Sequence, residues 1–100
     1  MATTVTETYI AEQNEGDTTF PLASRARQEA ELASGAIVSN TLTPIVDGPN
    51  LVAGKTRFNV VRVFKSAEDR VRIANDNLAD AELQAYLISS GYRKINRVIP

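Results

Sequence analysis

Polar and apolar positions alternate most clearly between Arg57 and Phe64. Phe58, Val60, Arg62 and Phe64 fall on one side, and Asn59, Val61 and Val63 on the other. Both sides carry apolar residues, which predicts a strand covered at least partly on each face. After a polar link at residues 65–69, Arg70-Val71-Arg72-Ile73-Ala74 alternates again, and the two runs predict a β-hairpin. Asn75-Asp76-Asn77 supplies capping side chains for a helix from Leu78 to Ser90, with Ala79, Leu83, Tyr86 and Leu87 as its buried stripe and Gly91 at its end. Tyr92 to Ile99 reads as a last strand, with Ile95 and Ile99 on one face and Val98 on the other. Residues 55–100 therefore predict a small α+β module, a three-stranded antiparallel sheet with one packed helix.

The pattern upstream is weaker. Residues 1–20 are rich in Thr and Glu, offer Val5, Tyr9 and Ile10 as anchors, and read as an extended arm. Pro21 to Ser34 predicts a short helix with Pro21 in its first turn and Gly35 just past its end. Its apolar face is mostly Ala, which buries little area and suits close packing against another surface. Ala36-Ile37-Val38 predicts a short strand, Pro44 restricts the next apolar stretch to an edge or irregular segment, and residues 47–50 form a turn. The chain thus divides into an arm (1–20), a helix with an irregular or edge-strand segment (21–54) and the module (55–100).

Composition narrows the chemistry. One hundred residues with 43% hydrophobic content make a single small domain. The chain has no Cys and no His, which excludes disulfides, Ser-His-Asp and Cys-His catalysis and ordinary structural zinc sites. No basic-then-apolar leader pattern and no long apolar run occurs, so the expected setting is cytoplasmic, or inside a virion or other large intracellular assembly.

Charge adds most. Residues 1–54 carry two Arg against seven acids, and residues 55–100 carry nine Lys or Arg against five acids. An acidic front and a basic back attract one another within one chain or between copies. Gly48 to Thr56 nearly spells a phosphate-binding loop, but five residues rather than four separate the glycines, Pro49 offers no N–H, and a strand follows where a helix is required. Asp76 and Asp80 read as helix caps rather than as a catalytic pair. The sequence predicts no catalytic residue, no cofactor and no metal. The candidate partner-binding residues are Tyr9, Ile10 and Phe20 on the arm side, and Arg57, Arg62, Arg70, Arg72, Arg93, Lys94 and Arg97 on the module. Arg62 stands out as a charge on a face otherwise made of Phe58, Val60 and Phe64. It either meets an acid in the interior or marks an interface, and the interface is the expectation.

The order strand, Arg-bearing strand, helix and final strand over residues 56–100 resembles the small linker domain of phycobilisomes, also found at the front of some cyanobacterial ferredoxin reductases. Arg57–Phe64 stands for its first strand and Arg70–Ala74 for its second. Within Ile88 to Ile95 only Lys94 and Ile95 match the family's Gly-Gly-Lys-Ile; the paired glycines are absent, and the sequence pI is near 5.4, whereas such linkers are usually basic. The resemblance covers under half the chain and implies a protein that joins larger subunits. The expected function is accordingly a non-catalytic structural or assembly protein, of virion-accessory or light-harvesting-linker type. It would bind a larger protein assembly or copies of itself through the arm and, by the basic module, an acidic surface. The alternative is a small nucleic-acid-binding or regulatory module using the basic strands.

Overall fold

The computed structural model describes residues 3–15 and 29–99. Four strands, β1 (Val5–Asn14), β2 (Ile37–Pro44), β3 (Lys55–Phe64) and β4 (Arg93–Val98), form one sheet in the order β2-β3-β1-β4. Every neighbouring pair is antiparallel. Between β3 and β4 lie two helices, α1 (Ala67–Ala79) and α2 (Ala81–Ser89). Residues 29–33, between β1 and β2, are helical, and Gly35 at φ 81° ends that segment as expected. This is the split β-α-β strand order, in which β1 enters the sheet between strands contributed much later. The chain is α+β, with four strands among the described residues rather than three.

The largest correction concerns the arm. Residues 5–14 form an interior strand, paired with β3 from Val5↔Phe64 to Asn14↔Lys55 and with β4 on its other edge. Val, Thr, Tyr and Ile are good strand formers, and Tyr9, Ile10 and Ala11 are buried. Arg70–Ala74, expected as a strand, lies inside α1, so that part of the linker resemblance has no counterpart here. Ser66 caps this helix, its Oγ accepting from the Asp69 N–H, and Glu68 and Asp69 add favourable charge to its first turn. Arg70, Ile73 and Asn77 recur at helical spacing, a period that local alternation concealed. Asp80 closes α1 and caps α2, its Oδ1 accepting from the Leu83 N–H.

Strand β4 departs from simple alternation. Its register against β1 shifts between Thr8 and Ile10, and Asn96 adopts φ 53°, a left-handed conformation that Asn tolerates at a bulge. The extra residue changes the phase of the pleat. Ile95 opposite Ile10 and Val98 opposite Thr8 share one face, where alternation had separated them. Lys94 and Arg97, three apart, both reach Glu7 on the other face.

The core lies on that face, in two pieces, of which the first includes Ile73 of α1. Ala36, Ile37, Phe64 and Ile73 form one cluster, with Val5 against it. Tyr9, Ala11 and Val60 form the second, with Leu42, Phe58 and Tyr92. A polar row crosses the sheet between them, with Glu7 paired to Arg62 and Arg62 to Asn40.

Candidate functional site

The polar row is the floor of a cleft. Glu7 is buried, and its Oε2 accepts from Arg97 Nη2 at 2.9 Å and Nε at 3.1 Å, while Lys94 Nζ lies 3.5 Å from Oε1. Burial pushes this carboxyl up, but Lys94, Arg97 and Arg62 together outweigh it and hold the net value below the ordinary carboxylate range. Arg62, also buried, donates to Glu31 at 2.6 Å and to Asn40 at 3.0 Å, and its guanidinium lies 5.1 Å from the Phe64 ring centroid. The charge on that apolar face meets an interior acid, so the interface expected at Arg62 gives way to a buried pair. Lys94 sits 4.6 Å from the Tyr9 ring centroid. Burial lowers its ammonium below the usual lysine range, with Glu7 opposing and Arg62 and Arg97 reinforcing the shift. The Tyr9 and Tyr92 hydroxyls hydrogen-bond each other, and burial raises both phenols.

Facing this floor are α1 and α2. Ile73, Asn77 and Leu78 of α1 and Leu83, Gln84 and Leu87 of α2 enclose a cleft of about 310 Å³ above Glu7, Tyr9, Arg62 and Lys94.

The opposite face of the sheet has no helix over it among the described residues. Toward one end of the strands it carries a second ionic group, in which Glu12 of β1 accepts from Arg57 of β3 (Nε 3.0 Å, Nη2 2.8 Å) and from Arg93 of β4 at 2.6 Å. These two arginines hold its carboxyl below the ordinary range, against a smaller opposing effect of burial. The Arg57 side chain is nearly buried beside this carboxylate, while Arg93 remains 65% exposed. Asn59, Asn14 and Lys55 flank this group on the same face, and toward the other end of the strands the face turns to Thr and branched aliphatics, with Val61 38% and Val98 53% exposed.

The residues expected to meet a partner are thus scattered in role. Tyr9 and Ile10 are buried within β1, and Phe20 lies outside the described residues. Arg57 and Arg93 hold Glu12, Lys94 and Arg97 hold Glu7, and Arg62 holds Glu31. Arg72 pairs with Asp69 on the outer surface of α1, and Arg70 lines the cleft. Sequence reasoning missed the three carboxylates Glu7, Glu12 and Glu31. The signal that points to them is the charge contrast between the halves of the chain, which the fold resolves within one molecule. No family model, no curated protein and no solved structure matches this chain.

Proposed function

We infer that the protein is a non-catalytic interaction subunit that docks on protein through the open face of its sheet. The observation that carries this reading is the exposure of Val61 and Val98 on a Thr- and Val-rich face with no described helix over it. Such a surface gains from burial against a complementary apolar surface. Among the described residues, six of the nine cations of the second half hold a carboxylate of this chain, and the docking chemistry proposed for the open face is apolar and hydrogen-bonding rather than attraction to an acidic partner. On this reading the chain belongs to a multiprotein assembly and is a packed domain within it, without a projecting arm over residues 5–14. Nucleic-acid binding is the weaker reading. Sheet-based readers of single strands stack bases on exposed aromatic rings, whereas Tyr9, Phe58 and Phe64 lie on the face turned toward the helices.

The test is site-specific photo-crosslinking. Benzoylphenylalanine is placed at Val61 or Val98 on the open face, and at Glu68 on α1 as control, in cells that make the protein. The expected result is one discrete protein adduct at Val61 and Val98, absent at Glu68. No adduct at either valine, or the same adduct at Glu68, refutes docking through this face.

A further inference from the structure

The cleft under the helices is not used by the docking reading, lies on the other side of the sheet and carries an inference of its own. Its volume of about 310 Å³ falls at the lower end of the range for small-molecule sites, about 300–1,000 Å³. Two independent features distinguish it from loose packing.

The first is the state of its apolar wall. Helix α2, Ala81–Ser89, is apolar on most of its circumference yet has no fully buried residue. Leu83 and Leu87 line the cleft half-buried, and Leu78, at the end of α1, lines it while 70% exposed. A helix of this composition is ordinarily covered. The second is the charge. The lining holds four cations, Arg62, Arg70, Lys94 and Arg97, against two anions, Glu7 and Glu31. Both anions are already engaged, Glu31 by Arg62 and Glu7 by Arg97 and Lys94. At 3.5 Å the Lys94 contact is long for a charge-assisted bond. The Arg70 guanidinium has no hydrogen-bond or ion-pair partner among the described residues. An enclosure with apolar walls and a surplus of positive charge favours a ligand with an apolar body and an anionic head.

We propose that this cleft binds an amphipathic monocarboxylate, its hydrocarbon body between Leu83, Leu87, Leu78 and Ile73, and its carboxylate between Arg70 of α1 and Lys94 of β4. The ligand covers the Leu83 and Leu87 side of α2 and supplies a counter-charge for Arg70. The Tyr9 ring under Lys94 fixes the ammonium at the floor, and Arg70 closes the site from the helix side.

Sodium decanoate and decanol are the probes, each titrated into the ¹⁵N-labelled full chain and followed by calorimetry and by amide shifts. The expected result is saturable decanoate binding at one site, with shifts at Tyr9, Leu83, Leu87 and Lys94. Decanol is expected to bind about ten-fold more weakly, the scale of one charge-assisted hydrogen bond. Arg70→Gln is expected to weaken decanoate about ten-fold while leaving the melting temperature unchanged, because Arg70 holds no partner among the described residues. Equal binding of decanoate and decanol marks an apolar void without a head-group site and overturns the proposal. So does the absence of saturable binding, or shifts confined to the open sheet face. Crosslinking at Val61 and this titration fail independently.

Discussion

Deleting residues 1–14 removes β1, the strand that joins β3 to β4, and is expected to unfold the chain. Tyr9 and Ile10 are buried, each contributing about 1.5–3 kcal/mol of apolar burial. Glu7 and Glu12 leave with them, stripping the partners from Arg57, Arg93, Lys94 and Arg97. Removing one partner of a buried ion pair costs about 3–5 kcal/mol; charging that once, because several of the cations reach solvent, brings the loss to roughly 6–11 kcal/mol. Two ladders of backbone hydrogen bonds go as well, against a total domain stability of about 5–15 kcal/mol. Far-UV circular dichroism and amide dispersion are the assays. The truncated chain is expected to give collapsed amide shifts and no cooperative melt. A synthetic peptide of residues 1–15 added in trans is expected to restore both, and the same peptide carrying Glu7→Ala and Glu12→Ala to fail at equal concentration. A truncated chain that keeps dispersed amides and a cooperative transition refutes β1 as the central strand and returns residues 1–14 to the role of an arm.

Three further outcomes follow from the ionic groups and one tight turn. Glu7→Gln is expected to cost about 2–3 kcal/mol at neutral pH, discounted because Lys94 and Arg97 are partly solvated, and to lower the melting temperature by roughly 10–20 °C. Since the folded chain holds Glu7 below its unfolded value, the native protein keeps this contribution above the unfolded value and loses it as pH falls through the folded one. Urea midpoints between about pH 7 and pH 3 should therefore converge for native chain and variant at the acid end, and parallel curves would contradict the assignment. Arg57→Ala, whose side chain is nearly buried, should cost about 1–2 kcal/mol. Arg93→Ala, exposed on the other side of the same carboxylate, should cost about 0–1 kcal/mol in the same urea titration. Gly91→Ala should cost about 1–2 kcal/mol from its φ of +67° alone, with a further penalty because a Cβ there meets Asn14 Oδ1 at 2.6 Å. Adding Asn14→Ala should recover the second part only, measured by thermal melts.

Some of the fold is legible in the sequence. Local chemistry wrote it: β3 from alternation, the edge position of the strand ending at Pro44, Gly35 and Gly91 as terminators at positive φ, and the α+β class. These follow from backbone sterics and pleat period, which depend on near neighbours in sequence. Ser66 three residues before Asp69 also announced a helix start, the local signal that would have placed α1 correctly.

What the tertiary structure decided is the meaning of the charges. Glu7 and Glu12 look like the residues of a solvated arm until Arg57, Arg93, Lys94 and Arg97 arrive from more than 40 residues away. A central strand can hold two buried carboxylates only when its neighbours supply the counter-charges, and strand order is a property of the whole chain. The bulge at Asn96 is another such decision, since one left-handed residue places Lys94 and Arg97 on the same carboxylate. Sequence alone therefore determined β3, the glycine terminators, the α+β class and the imbalance of charge between the two halves. Tertiary pairing decided that most of this imbalance is cancelled inside the molecule, because buried charges must find partners while exposed ones need none.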